Sequence, residues 1–270
     1  MRTDHPVTLN SADLSAGRRE IVRLSVPSGV SMGEQYFDLV ELDHFWVVRR
    51  FEVMCRFAAH LFQRGFRYCE IGCGNGALQR QLENAYGVAV DGFELCLSAL
   101  EQNRSRNGKL YYYNILERKP ELKDYYDVLF LFDVLEHIAE APAFLQAASY
   151  HLKPGGYIII NVPARRELFS KYDIMAGHVR RYTVPMLSTL LEKAALQPDL
   201  VTYWGLPLYP VLFLRKLLMA FLSNDMAYRK GFQPPSKTMN TALTWLSRCE
   251  ILPQRWLGTS ILAVAQSRPQ

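Results

Sequence analysis

Cysteine is scarce in this chain of 270 residues, and its count is odd: Cys55, Cys69, Cys73, Cys96 and Cys249, with no CxxC pair among them. An odd set without paired spacing argues against a disulfide framework or a zinc finger, and fits a reducing compartment such as the cytoplasm. Long apolar runs are also missing. The most apolar stretch, Tyr203 to Leu222, is broken by Pro207, Pro210, Arg215 and Lys216, whereas a spanning helix needs about 20 nearly unbroken apolar residues. The first residues, MRTDHPVTLNSADLSAGRRE, are polar and lack the apolar stretch of a signal peptide. No block of like charge stands out; basic residues occur as isolated pairs, and the net charge is only +5. That excess is too small to point to nucleic acid, but it suits an anionic ligand or a membrane surface. No repeat at a solenoid or propeller period is visible. With 49% hydrophobic and 21% charged residues, disorder and coiled coil are both disfavoured.

What is present is an alternation of short apolar strands and amphipathic helices. Residues 43–63 read as a helix, because Val47, Phe51, Met54, Ala58 and Leu61 recur every three or four positions; Gly65 ends it. Strands are expected at 67–71, 87–93, 110–113, 127–132, 157–162, 200–204 and 260–265. Helices are expected at 76–86, 97–103, 142–151 and 184–195, and Lys153-Pro154-Gly155-Gly156 makes a turn. Repeated βα units of this kind build a parallel sheet with helices on both faces. The 55 residues between Trp204 and Ser260 are too many for a simple connection, so 205–257 is read as an insertion with helices near 209–223 and 238–248.

The sharpest local signal is Glu70-Ile71-Gly72-Cys73-Gly74-Asn75-Gly76, which ends a strand and opens a helix. Glycines allow a tight turn and close approach of a ligand to the backbone, and the helix start offers unpaired N–H groups. A bare glycine turn is weak evidence, but the spacing here is E-x-G-x-G-x-G rather than the G-x-G-x-x-G of dinucleotide enzymes. The Glu70 carboxylate would repel a pyrophosphate and attract a cationic amine. Glu94 follows 18 residues after Gly76, at the end of the next strand, where a carboxylate can accept both hydroxyls of a ribose. A nucleoside carrying an amino-acid tail satisfies both groups.

On these residues the chain resembles a class I S-adenosylmethionine-dependent methyltransferase. Val90-Asp91-Gly92-Phe93-Glu94, Tyr113-Asn114-Ile115, Phe132-Asp133-Val134-Leu135-Glu136-His137-Ile138 and Leu152-Lys153-Pro154-Gly155-Gly156-Tyr157 resemble further family segments, and the likeness spans roughly 67–204 plus the last strand. It implies an α/β, Rossmann-like, seven-stranded, mostly parallel sheet with helices on both faces, an N-terminal helical arm and a helical insertion before the last strand. The implied division is an arm and leading helix at 1–64, a core at 65–204 and 258–270, and the insertion at 205–257. The implied donor is S-adenosyl-L-methionine, with S-adenosyl-L-homocysteine as product. Donor contacts are expected from Glu70, Gly72, Cys73, Gly74, Gly76, Glu94, Leu95, Asn114, Ile115, Phe132 and Asp133. Asn114 stands where the family usually has Asp, and its side-chain oxygen can still accept from the adenine amino group. By similarity to ubiquinone-pathway O-methyltransferases, Arg49 or Arg50 reaches the donor carboxylate.

For the acceptor, His178 and His137 are the candidate bases, since histidine titrates near neutrality; each has a competing role in fixing a loop. Gly177-His178-Val179-Arg180-Arg181-Tyr182 resembles a segment of a bacterial subgroup. Arg180, Arg181 and Tyr182 are candidate contacts for an anionic or carbonyl-bearing acceptor, Asp173 an orienting carboxylate, and Trp46, with Tyr36 and Phe37, a pocket wall. No metal-ligand spacing is evident. The apolar insertion reads either as a lid or packed subdomain beside an apolar acceptor, or as a surface that rests on a membrane through 205–222. The expected activity is O-methylation of a hydroxyl or carboxyl on a small, largely apolar natural-product or lipid-linked acceptor, by a cytoplasmic monomer or homodimer that is either free or membrane-associated. The absence of an Asn/Asp-Pro-Pro-Tyr run after the fourth strand counts against the common amino-methylating signature. N- or C-methylation and a donor-binding regulatory subunit remain the alternatives.

Overall fold

A computed structural model describes residues 19–26, 41–221 and 236–268. Tyr36 and Phe37 lie outside the described residues. Eight strands form one sheet: β1 (Ile21–Arg23), β2 (Tyr68–Ile71), β3 (Val90–Glu94), β4 (Leu110–Tyr112), β5 (Tyr126–Phe132), β6 (Leu152–Pro163), β7 (Leu196–Trp204) and β8 (Ser260–Ser267), in the order β1-β4-β3-β2-β5-β6-β8-β7. All pairings are parallel except those of β8, which runs antiparallel between β6 and β7. The strand count corrects the expected seven. The added strand is β1, which pairs parallel with β4 at the edge. Three residues with one apolar alternation carry too little pattern to register as a strand.

Side-chain alternation along β5 shows how the sheet is covered. Leu129 and Leu131 point into one apolar cluster and Val128, Phe130 and Phe132 into another, as the period of two requires. The first cluster is closed by α4 (Ala141–His151) and α6 (Val184–Lys193), through Phe144, Leu145, Leu187 and Leu191. The second is closed by α1 (Phe45–Ala58) and α2 (Ala77–Tyr86), through Val53, Met54, Leu78 and Leu82. A central strand buried on both faces reads as an apolar run, which is why β5 shows no polar alternation.

Four more α-helices lie among the described residues: α3 (Leu97–Glu101), α5 (Lys171–Met175), α7 (Tyr209–Ala220) and α8 (Lys237–Arg248). The last two belong to the insertion. α8 lies back on α1: Asn240 Oδ1 accepts from the Phe45 N–H at 2.8 Å, Arg248 pairs with Glu52, and Arg49 pairs with Glu250 at 2.9 Å. Met219 of α7 packs with Tyr172 and Ala176 beside α5. Among the described residues, the insertion thus packs on α1 through α8 and beside α5 through α7. The outer side of α7 exposes Phe213, Leu214, Leu217 and Leu218, and Phe221, just past its end, is exposed as well. No helix of the described residues is long and apolar enough to cross a membrane.

Candidate active site

The chain runs from β2 through β3 to β4 on one side of the sheet, then crosses to β5 on the other. The crevice at such a reversal, outside the carboxyl ends of the strands, is where open α/β sheets hold ligands. Here it is a cavity of about 210 Å³ between the ends of β2, β3 and β5. It is lined by Glu70, Gly72, Cys73, Gly74, Glu94, Leu95, Asn114, Ile115, Phe132, Asp133 and Arg50, together with Trp46 and His137.

Gly72, Gly74 and Gly76 have φ of +74°, +51° and +76°, a region that favours glycine. A Cβ on Gly72 would lie 2.6 Å from Val134 Cγ2. The Gly72 N–H donates to the Phe93 carbonyl at 2.8 Å, tying the turn to β3. Gly76 does not line the cavity; it caps α2 in the left-handed conformation without a side-chain bond, leaving that helix start open to the crevice.

Glu70 is 4% exposed, and its Oε2 has no hydrogen-bond partner among the described residues. Burial pushes its carboxyl up to about 8, against the pull of Arg50. A buried acceptor without a donor is costly, and the ammonium of an amino-acid tail bound in this cavity would supply one. Glu94 Oε2 accepts from the Gly74 N–H at 2.9 Å, and Oε1 from Leu95 and Cys96 at 2.7 and 2.9 Å. Burial raises its carboxyl, and these bonds offset part of that rise. Each oxygen keeps a further lone pair for a ribose hydroxyl. Asn114 Oδ1 accepts from the Leu116 N–H at 3.1 Å, so an adenine amino group bound here would meet an oxygen already fixed in direction. These groups fit the donor.

Asp133 joins donor and acceptor sides. Its φ is +57°, a strained conformation for a non-glycine residue and a mark of functional sites. Its carboxylate takes Arg50 Nη1 at 2.5 Å and Asn161 Nδ2 at 2.6 Å, and Asn161 Oδ1 in turn accepts from Trp204 Nε1 at 2.9 Å. Trp204 packs against Trp46 with ring centroids 4.6 Å apart. Asn161 was not among the expected site residues; a lone Asn in Ile158-Ile159-Ile160-Asn161-Val162 was the available signal.

A second cavity adjoins the first and shares Trp46, Asp133 and His137 with it; Glu136, His178, Arg181, Arg215 and Leu212 complete its wall. Asp173, wholly buried, organises this side. It accepts from His178 Nδ1 at 3.0 Å, Arg181 Nε at 2.8 Å, and the Ser170 N–H and hydroxyl. Burial opposes its charge, but the hydrogen bonds and charges of His178 and Arg181 outweigh that and hold it well below the usual carboxylate range. The His137 and His178 rings meet edge to face with centroids 4.7 Å apart. Burial, and then the neighbouring His178, push His137 down to about 4, so it is a neutral imidazole at pH 7.

Three expected contacts lie elsewhere. Arg49 pairs with Glu250 and Glu52, tying α1 to the insertion instead of facing the donor. Arg180 is directed at the Ala139 carbonyl, and the buried Tyr182 hydroxyl donates to the Leu135 carbonyl at 2.9 Å, bracing the loop that carries Glu136 and His137. Helical spacing alone does not separate Arg49 from its neighbour Arg50, because the partners of both come from remote segments.

A family model described as a methyltransferase domain matches residues 46–200. The ubiquinone biosynthesis O-methyltransferase of Shewanella sp. (strain ANA-3) is 30% identical over 132 residues, 46% of this chain and 53% of the relative. The mitochondrial ubiquinone biosynthesis O-methyltransferase of Schizosaccharomyces pombe is 29% identical over 136 residues, 48% and 49% of the two chains. The match thus spans about half the length of these curated relatives. Among solved structures, a SAM-dependent methyltransferase from Archaeoglobus fulgidus superposes with a TM-score of 0.52 at 17% identity, covering 87% of this chain and 97% of the other; at that identity the likeness shows the fold. The chain belongs to the methyltransferase-domain family.

Proposed function

We propose that the chain methylates an oxygen, a hydroxyl or a carboxyl, of a small and largely apolar acceptor held in the second cavity. The observation that carries this reading is the shared wall: Trp46, Asp133 and His137 line both cavities, so a donor and an acceptor in their respective cavities meet there. The O-methyltransferase names of the curated relatives support it over the half of each that matches.

Glu70 would hold the donor's ammonium, Glu94 its ribose and Asn114 its adenine. The donor supplies a methyl group on a sulfonium; the acceptor oxygen takes the methyl carbon, the C–S electron pair stays on sulfur, and a hydroxyl acceptor releases its proton. His178, oriented by Asp173, and the neutral His137 are placed on the acceptor side to receive that proton. Arg181 is committed to Asp173, so it positions the acceptor side through that carboxylate. Leu212 and Arg215 of α7 line the second cavity, which supports the insertion as its lid. The exposed apolar side of α7 supports delivery of an apolar or lipid-linked acceptor from a membrane surface.

The test is an acceptor screen with methyl-labelled donor, followed by mass and NMR identification of the product. The reading expects a methyl ether or ester. Methylation of nitrogen or carbon, or donor binding without transfer to any acceptor, would overturn it.

A further inference from the structure

One buried carboxylate closes the insertion at its base. Glu250, whose side chain is wholly buried, accepts from the Gly205 and Leu206 N–H groups through Oε2 at 2.9 and 3.1 Å, and from Arg49 Nη2 through Oε1 at 2.9 Å. It therefore joins the start of the insertion to its end, and both to α1. α8 adds two ties to the same helix. Asn240 takes the Phe45 N–H, one of the orphan donors of a helix start, and donates to the Asp43 carbonyl at 2.8 Å, while Arg248 pairs with Glu52. The stretch of α1 held in this way is a wall of the first cavity, lined by Trp46, Val47 and Arg50. Arg50 is bonded to Asp133, Asp133 to Asn161 and Asn161 to Trp204, the residue before Gly205. The bonds run in a closed circuit, from the first cavity through β6 and β7 to the base of the insertion and back along α1. Arg50 also has a buried Nε without a hydrogen-bond partner among the described residues, a group that a carboxylate bound in the first cavity would satisfy.

We propose that Glu250 is a positioning residue through which a donor in the first cavity seats the insertion over the second. The proposal deepens the reading of the insertion as a lid and rests on it and on the donor's place in the first cavity. Two states are involved, the insertion seated on α1 and the insertion lifted from it. Lifting removes the Asn240 oxygen from the Phe45 N–H and separates Arg49 from Glu250 and Glu52 from Arg248. Trp46, Val47 and Arg50 then lose the support that holds them at the first cavity. A ligand bound against those three residues favours the seated state by the same factor by which lifting would weaken its binding. Seating in turn places Leu212 and Arg215 of α7 in the wall of the second cavity. The acceptor cavity is thus completed by donor binding, and the acceptor enters second, onto a loaded enzyme. Closure of this kind assembles the catalytic constellation only when the first substrate is in place.

The test is hydrogen–deuterium exchange of the full-length protein, read in peptides of α7 and α8 with and without saturating S-adenosylhomocysteine. It is run on wild type, Glu250→Gln and Asn240→Ala, with circular dichroism and thermal melting to confirm folding. The Gln side chain keeps an oxygen for Gly205 and Leu206 but loses the charged pair with Arg49. In wild type the ligand is expected to slow exchange in both helices about threefold, and calorimetry should find affinity lower by about the same factor in Glu250→Gln, as reciprocity requires. The slowing by ligand should vanish in both variants. A brace with a purely structural effect would raise exchange equally with and without ligand, and an unchanged ratio in the variants would overturn the proposal. So would a wild-type insertion that exchanges at one rate whether or not calorimetry shows the first cavity filled. Absence of S-adenosylhomocysteine binding would overturn the coupling and the donor site together, whereas the two preceding results overturn the coupling alone.

Discussion

Glu70 links folding, donor binding and pH in a way that one pair of titrations can check. In the donor-free protein its carboxyl is pushed up to about 8, mainly by burial, while an exposed glutamate titrates near 4.3. At pH 7 the folded form thus keeps a proton that the unfolded chain has lost, so stability falls as pH rises from the unfolded value towards 8. The deficit at pH 7 is on the order of 3 kcal/mol, from 1.36 kcal/mol per unit. Donor binding requires the opposite state, because the ammonium pairs with a carboxylate. With about a tenth of Glu70 ionised at pH 7 and half at pH 8, affinity should rise roughly fivefold over that unit and about fiftyfold from pH 6 to pH 8. Calorimetry with S-adenosylhomocysteine in buffers of different ionisation enthalpy should report close to one proton released at pH 7. Glu70→Gln should lose the pH dependence, bind about ten- to a hundredfold more weakly at pH 8, and melt several degrees higher without ligand. Pure pH-independent binding with no proton released would refute the assignment of Glu70 to the ammonium.

Gly72→Ala should destabilise by about 1–3 kcal/mol and weaken S-adenosylhomocysteine binding, because φ is +74° and the new Cβ would lie 2.6 Å from Val134; chemical denaturation and calorimetry read the two effects. Arg49→Ala should cost about 3 kcal/mol by breaking a buried pair and speed proteolysis of the 205–257 insertion, yet leave donor affinity within about threefold. Arg50→Ala should weaken donor affinity by more than that. Asp173→Asn should lower turnover of the acceptor about a hundredfold or more with donor affinity little changed, and shift the pH profile of turnover, which a merely structural defect would not move. Leu218→Ser with Phe221→Ser should reduce flotation with anionic lipid vesicles while leaving S-adenosylhomocysteine binding intact.

Most of the residues expected at the donor site line one cavity, and their convergence was legible in the sequence because they sit in contiguous runs. Glu70 through Gly76 is one strand-to-helix turn, and Glu94 and Asn114 end the next two strands, so topology alone brings them together. The acceptor half was not. Glu136 adjoins His137, but its meeting with His178 in the wall of the second cavity needs the loop after β6 to fold back across β5, and no local pattern records that distance. Arg49 and Arg50 are equivalent by position and are separated only by remote Glu250 and Asp133. β1 was missed because its three residues pair with β4 across nearly ninety positions.

The most direct test of the account is a crystal structure with S-adenosylhomocysteine. The amino group is predicted on Glu70, the ribose on Glu94, and the sulfur at the opening shared by Trp46, Asp133 and His137, facing the cavity of His178. A sulfur directed away from that shared wall, or a ligand bound elsewhere on the sheet, would contradict it.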